Sequence, residues 1–146
     1  MIRKAEIGEL GNLHACAREF YESSRHLGRF DLGRFCALWE KLLSNGTGII
    51  FVDERDGELV GTIGGMVHED LYDPRLIATE LFWFARKEHR GAGLKLYREF
   101  ERWAGENGAA MIRMAHLLDS MPEKVSHFYQ RAGYTAIETY YGKSLR

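Results

Sequence analysis

The sequence contains few cysteines, few prolines and no long apolar segment. Its two cysteines, Cys16 and Cys36, lie among apolar neighbours without CxxC spacing, which predicts core residues and neither a metal site nor a disulfide framework. No stretch approaches the roughly 20 apolar residues that a membrane span needs, and the charged N-terminus is not that of a signal peptide. We therefore expect a cytoplasmic protein with no metal and no membrane contact.

An excess of charge of one sign is also missing. Twenty Lys and Arg against 21 Asp and Glu give a net charge of −1, so no long-range positive field would attract a nucleic acid. With Pro74 and Pro122 as the only prolines and no Gly/Ser-rich stretch, the chain shows no linker and no repeat. Its 146 residues predict a single domain, residues 1–146.

Hydrophobic periodicity in the first half predicts a strand, two helices and a hairpin. The strand is expected at residues 2–5, and an apolar helical stripe runs from residue 10 to residue 20. After a polar loop at residues 23–29, Asp31 is suited to cap the second helix, and Asn45-Gly46 to end it. Strands at residues 48–53 and 59–63 should pair through Asp56-Gly57, which tolerates positive φ.

The second half alternates strands and helices. A strand at residues 76–85 is apolar on both faces, as expected of a central strand covered by helices, except at Glu80. A glycine turn and a helix follow, then a strand at residues 109–116, a helix with Ser120 in capping-box spacing to Glu123, and one or two strands at residues 134–141. These elements predict a mixed α/β (α+β) fold, with a sheet of six to seven strands flanked by four helices.

The glycine turn, Arg90-Gly91-Ala92-Gly93, is the strongest local motif. Between a strand and a helix, glycines let the backbone approach a ligand, and the free N–H groups of the first helical turn attract an anion such as phosphate. The alternative is a tight turn without a ligand. A dinucleotide fingerprint is excluded because Leu96 stands where its third glycine would be, and a P-loop ending is absent.

Four segments together resemble the GNAT superfamily of acetyl-CoA-dependent N-acetyltransferases. They are residues 2–5, 56–61, 88–93 and the run Phe-Tyr-Gln-Arg-Ala-Gly-Tyr at residues 128–134, in the order in which that family has its counterparts. The run Glu-Leu-Phe-Trp-Phe at residues 80–84 is similar to members from bacteria and phages. The resemblance covers most of the chain and implies a mostly antiparallel GNAT-like sheet.

The resemblance also implies site residues. Backbone amides from Arg90 to Lys95 would hold the pyrophosphate of acetyl-CoA, and the backbone of Phe84 and Ala85 would pair with its pantetheine arm. The residues implied in the pyrophosphate loop are Arg90, Gly91, Ala92, Gly93, Leu94 and Lys95. Tyr129 would protonate the departing thiolate, since a phenol pKa of about 10 is close to the thiol value of roughly 8.5.

A base must also take a proton from the acceptor amine, directly or through water. Glu80 is the leading candidate because burial would raise its pKa; the alternative is a carboxylate at an exposed strand start or paired with an arginine. His116 and His68 are further candidates, since imidazole has the better intrinsic pKa. Each of them also fits an ordinary surface or core-edge histidine.

Three positions depart from the family pattern. Glu88 stands where the family often has Gln or Arg, and its carboxylate would repel a pyrophosphate unless it is turned to solvent. Lys95 replaces a frequent glycine and offers a compensating cation. Pro122 replaces an asparagine found in many members, which removes one hydrogen bond to the pantetheine arm.

Two functions follow as hypotheses. The first is direct acetyl transfer from acetyl-CoA to a primary amine in a ternary complex; the second is a catalytically inert GNAT-fold module that binds acyl-CoA or a protein partner. The acceptor, a small molecule or a peptide amine, would be bordered by residues 23–30 and by residues 68–74, whose acidic side chains suit a cation. Dimers are common in the family, so a homodimer stays open, and Tyr140-Tyr141 fits either an interface or the core.

Overall fold

The structure is a computed structural model that describes residues 1–22, 28–89, 91–117 and 121–146. Three predictions lie outside the described residues: most of the polar loop at residues 23–29, the contribution of Arg90 to the glycine turn, and the capping role of Ser120. The helices and strands below all belong to the described part of the chain.

One sheet forms the centre of the fold. The elements in chain order are β1 Ile2–Lys4, a 3₁₀ helix Ile7–Leu13, α1 His14–Glu22, α2 Leu32–Ser44, β2 Gly48–Arg55, β3 Glu58–Glu69, β4 Leu76–Ala85, a 3₁₀ helix Lys87–His89, α3 Gly91–Glu106, β5 Ala109–Arg113 and α4 Pro122–Arg131. The strand order is β1-β2-β3-β4-β5, with antiparallel pairing except for the parallel pair β4 and β5. The predicted mixed, mostly antiparallel sheet with four α-helices is confirmed.

Local signals act as predicted in the first half. Asp56 and Gly57 take φ values of 50° and 79° and close the hairpin between β2 and β3. The side chain of Asp31 accepts a hydrogen bond from the backbone N–H of Arg34 at 2.7 Å, which caps the start of α2. The hairpin turn and the helix cap each depend on neighbouring residues alone, and this is why the sequence predicts them.

Apolar side chains cover both faces of the sheet. On one face α3 packs against β2, β3 and β4 through a cluster of buried residues: Ile49, Phe51, Ile63, Ala78, Leu96, Phe100, Trp103 and Ala104. On the other face the 3₁₀ helix and α2 pack through Leu10, Leu13, Trp39, Leu42, Ile50, Val52 and Phe82, with Cys36 beside them. Cys16 is buried as predicted, and Cys36 is half-buried at the edge of this cluster.

Two strand predictions are corrected. β3 continues to Glu69 instead of ending at residue 63, and β5 ends at Arg113 instead of residue 116. Met121, in the left-handed region with φ of 46°, is the residue before α4, and Pro122 lies in the first helical turn as predicted.

The closing strand predicted at residues 134–141 is wrong. Residues 134–146, all of them described, contain no helix or strand, and Tyr141 is 95% exposed. Alternation makes a strand only where a neighbouring edge supplies hydrogen bonds, and β5 pairs with β4 alone among the described residues. The described sheet therefore has five strands instead of six to seven.

Candidate active site

The two parallel strands separate partway along their length. β4 and β5 pair from Leu76 opposite Ala109 to Thr79 opposite Arg113, and β4 then continues to Ala85. Past Thr79, the edge of β4 that faces β5 has no strand partner among the described residues. The two strands therefore form an opening, lined on one side by the edge of β4 that runs without a described strand partner from beyond Thr79 to Ala85.

A β-bulge lies where this opening begins. Gly64 pairs with Phe82 and Gly65 with Glu80, so Leu81 is an extra residue in β4. A Cβ atom on Gly64 would lie 2.5 Å from the Phe82 ring, and one on Gly65 would lie 2.5 Å from the Phe100 ring. This glycine pair was not predicted, although two glycines inside an otherwise apolar strand are a signal for a bulge.

Two of the predicted catalytic residues bind the main chain of one residue, Ala115. The backbone N–H of Ala115 donates to Oε2 of Glu80 at 2.9 Å. The hydroxyl of Tyr129, on α4, donates to the carbonyl of Ala115 at 2.6 Å. These bonds replace the strand ladder that ended at Arg113, and they fix Glu80 and Tyr129 at the narrow end of the opening.

The environment of this pair sets its proton chemistry. Glu80 is only 6% exposed, and burial raises its pKa to about 7, against the opposing effect of the Ala115 N–H. Burial, followed by the charge of Glu80, raises the pKa of Tyr129 well above that of a free phenol. Glu80 therefore gains and loses its proton near neutral pH, while Tyr129 remains a neutral hydrogen-bond donor.

The two histidines occupy different surroundings. His116 directly follows Ala115, and its Nε2 atom is shielded from solvent without a hydrogen-bond partner in the described part of the chain. In His68, Nε2 lies 2.6 Å from Oγ1 of Thr79 and Nδ1 lies 2.9 Å from the carbonyl of Glu69. Both nitrogens of His68 are therefore engaged, whereas Nε2 of His116 has no partner among the described residues.

The glycine turn forms the beginning of α3. Gly91 is the first residue of the helix, and the indole N–H of Trp83 donates to the carbonyl of Gly93 at 3.1 Å. A Cβ atom on Gly91 would meet nothing within 4 Å, and one on Gly93 nothing closer than 3.5 Å, among the described residues. Neither glycine has a left-handed backbone. The fold itself therefore does not require glycine here, although each costs about 1 kcal/mol relative to alanine within a helix.

The other predicted positions differ in exposure and in their place in the helices. Leu94 and Lys95 are exposed on the first turn of α3, and Ala92 is buried beneath it. Glu88 is exposed in the short 3₁₀ helix before the turn, so its carboxylate has access to solvent. Pro122 is the first residue of α4, where its missing N–H has no helical partner to lose.

Metal-binding clusters and membrane-spanning helices are both absent from the described part of the chain. It contains no group of three or more His, Cys, Asp or Glu residues arranged to hold a metal ion. The described residues also contain no helix long and apolar enough to cross a membrane.

Comparisons with known proteins agree with this geometry. No curated protein matches the chain. A candidate acetyl transferase from Pyrococcus furiosus superposes with a TM-score of 0.77 at 26% identity, over 99% of this chain and 99% of that chain. Glucosamine-6-phosphate N-acetyltransferase from Arabidopsis thaliana gives 0.73 at 20% identity, over 100% and 98%. A predicted acetyltransferase with acetyl-CoA from Clostridium acetobutylicum gives a TM-score of 0.80 at 12% identity, over 99% of this chain and 96% of that chain.

The model of the acetyltransferase (GNAT) family matches residues 11–134, and the chain therefore belongs to the GNAT family of acetyltransferases.

Proposed function

We propose that this protein transfers an acetyl group from acetyl-CoA directly to a primary amine within a ternary complex. The observation that carries the proposal is the opening between β4 and β5. Glu80 and Tyr129 lie at its narrow end, and the glycine-containing start of α3 lies near the last residues of β4. The opening thus connects a helix start that can bind an anion with two side chains, Glu80 and Tyr129, that can take part in proton transfer.

Acetyl-CoA would bind as the substrate along this opening. The backbone N–H groups of residues 91–95, together with Arg90, would hold the pyrophosphate, because the first turn of a helix has free donors and the positive end of the helix dipole. The free edge at Phe84 and Ala85 would pair with the amides of the pantetheine arm. This placement directs the thioester toward Glu80 and Tyr129.

The chemistry then needs one base and one hydrogen-bond donor. The amine attacks the thioester carbonyl, and its proton passes to Glu80, directly or through one water molecule; His116 is the second candidate for this role. The C–S bond breaks, and the Tyr129 hydroxyl turns from the Ala115 carbonyl to the departing sulfur. Because burial raises the pKa of Tyr129, this hydroxyl stabilises the thiolate mainly by hydrogen bonding. The thiolate then takes up the proton that Glu80 received, directly or through water, so the products are the acetylated amine and CoA.

The substitution Gly91→Glu tests the pyrophosphate site. We expect it to abolish acetyl-CoA binding, measured by calorimetric titration, because a carboxylate would occupy the space that faces the anion. Gly105→Glu is the matched control. Gly105 lies in the same helix and is likewise free of neighbours within 4 Å among the described residues, so this variant should bind normally.

Three results are informative in this experiment. Loss of binding in the Gly91 variant alone, followed by CoA release from the wild type with an amine, supports the full proposal. Binding without turnover on any amine would indicate an inert acyl-CoA-binding module. Equal binding by both variants would overturn the assignment of the pyrophosphate to the start of α3.

A further inference from the structure

Trp83, on β4, contacts both helices of the proposed site. Its indole N–H donates to the carbonyl of Gly93, in the first turn of α3, at 3.1 Å. Its ring centroid lies 5.7 Å from that of Phe128 and 6.4 Å from that of Tyr129, both on α4. Aromatic rings at these separations attract each other. One side chain of the sheet therefore connects the proposed pyrophosphate site with the helix that carries the reacting hydroxyl.

Along β4, Trp83 lies between the two ends of the proposed site. The side chains of β4 that face α3 past Thr79 are those of Glu80, Trp83 and Ala85. Their partners in β3 all lie against α3: Gly65, Ile63 and Gly61. Paired residues of neighbouring strands point to the same face of a sheet. Trp83 therefore separates the proposed base from the part of β4 proposed to hold the pantetheine arm.

The bond from Trp83 to Gly93 is not one that the helix itself requires. Within an α-helix the carbonyl of residue 93 accepts from the N–H of residue 97. The indole N–H adds a second bond, and it draws the helix close to the sheet: a Cβ atom on Gly93 would lie 3.5 Å from Nε1 of Trp83 and 3.7 Å from the Cβ of Ala85. The indole thus fixes the first turn of α3 to β4.

Tyr129 depends on aromatic contacts once it leaves its hydrogen bond. Its hydroxyl donates to the carbonyl of Ala115, and the proposed reaction needs this hydroxyl to turn to the sulfur. Three rings lie beside Tyr129 in the described part of the chain: those of Trp83, Phe128 and Tyr134. Phe128 belongs to α4 itself and Tyr134 follows that helix closely. Trp83 is the one of the three that belongs to the sheet, so it relates the Tyr129 ring to β4.

We infer that Trp83 is a positioning residue for acetyl transfer: it fixes the separation between the start of α3 and the Tyr129 hydroxyl. This inference rests on the proposed function. Trp83 takes no proton itself, because an indole N–H is a donor only. The pyrophosphate and the thioester belong to one molecule, so an error in this separation moves the thioester away from the hydroxyl even when acetyl-CoA is bound.

The substitution Trp83→Phe tests the contact to α3. Phenylalanine keeps a ring beside Tyr129 and removes the N–H. We expect the variant to bind CoA and acetyl-CoA more weakly by the same factor, about 3- to 10-fold in calorimetric titrations, because both compounds contain the pyrophosphate. Its kcat, measured as CoA release with an amine that the wild type acetylates, should stay close to the wild-type value. Trp103→Phe makes the same change near the other end of α3 and should bind both compounds normally.

The substitution Trp83→Leu tests the contact to Tyr129. It removes the ring as well as the N–H, and we expect kcat to fall by about 10-fold or more. The same substitution is then made in a Tyr129→Phe background. With no hydroxyl left to position, Trp83→Leu should lower kcat no further there, whereas general damage to the site would lower kcat equally in both backgrounds.

Failure of the inference and failure of the proposed function give different results. If the wild type binds no acetyl-CoA or acetylates no amine, the proposed function fails, and the inference fails with it. If the wild type binds and reacts, the inference alone is overturned when Trp83→Phe binds CoA as tightly as the wild type, or when Trp83→Leu costs the same kcat with and without the Tyr129 hydroxyl. A melting temperature measured for each variant separates these outcomes from loss of folding.

Discussion

Glu80 is held in the fold at a cost that depends on pH. Its carboxylate is buried, and the described residues offer it one hydrogen bond, from the N–H of Ala115, and no cation. The folded protein therefore binds the Glu80 proton more tightly than the unfolded chain does. The same burial that gives this carboxylate a useful pKa for proton transfer must destabilise the fold when Glu80 is ionised.

The substitution Glu80→Gln should reveal both effects. The folded pKa of about 7 exceeds the ordinary value of 4.5, so ionised Glu80 reduces stability above pH 7, and this loss fades as the pH falls toward 4.5. At pH 8 we expect the variant to be more stable than the wild type by up to about 3 kcal/mol, and at pH 4.5 equal to it. Urea unfolding at several pH values measures this difference.

Activity should change in the opposite direction. The wild-type kcat/KM should rise as the pH passes through 7 and Glu80 ionises, and Glu80→Gln should lose about 100-fold or more together with that rise. Glu40→Gln, at an exposed position of α2, serves as the control for both measurements. If the Glu80→Gln variant keeps the wild-type pH profile, the role of base passes to His116.

At the scale of the element, the shape of β4 depends on a glycine pair in the neighbouring strand. A side chain at Gly65 would collide with the Phe100 ring and with the backbone carbonyl of Thr79, both at 2.5 Å. Gly65 thus lets α3 approach the sheet where Leu81 bulges out. Since the bulge lies at the beginning of the opening between β4 and β5, the packing of α3 and the position of Glu80 are linked.

Two glycine-to-alanine substitutions separate packing from binding. Gly65→Ala should lower the free energy of unfolding by about 1–3 kcal/mol, because the backbone contact cannot move aside easily. Gly91→Ala, in open space on the first turn of a helix, should be neutral or stabilising by up to about 1 kcal/mol. Urea unfolding of both variants checks the contrast, and an unaffected Gly65→Ala would show that α3 does not pack this closely.

The difference between local patterns and contacts of distant residues explains which features the sequence could predict. The limits of β4 and the cap and end of α2 follow from patterns among neighbouring residues, and all were predicted. Glu80 was noticed because a carboxylate interrupts an apolar strand. The bulge at Leu81 and the end of β5 depend on contacts between distant residues, such as Gly65 with Phe100 and Ala115 with Tyr129, which no local pattern encodes.

At the scale of the whole molecule, the packing of the C-terminal region on the aromatic residues of α3 and α4 ends with Tyr134. The hydroxyl of Tyr97 donates to that of Tyr134 at 3.2 Å, and the Tyr134 ring lies beside Tyr129. Every residue from 135 to 146 is exposed. The core of the domain is therefore complete without these last residues.

Two truncated chains test whether the core is complete without residues 135–146. A chain ending at Ile137 should unfold within about 1 kcal/mol of the full chain, because it loses only exposed residues. A chain ending at Gly133 also loses Tyr134 and should be less stable by about 2 kcal/mol. A large loss in the longer truncation, or a change in its size on gel filtration, would show that residues 138–146 add a strand to this sheet or to that of a second copy.

Ala115 connects Glu80 and Tyr129 through its main chain alone, and this affects which residues the position can hold. It contacts Glu80 and Tyr129 through its main-chain N–H and carbonyl, while its side chain is exposed. Any residue except proline, which lacks the N–H, can make both bonds. Position 115 can thus vary, and change the surface beside the proposed site, while the main-chain connection between Glu80 and Tyr129 stays the same.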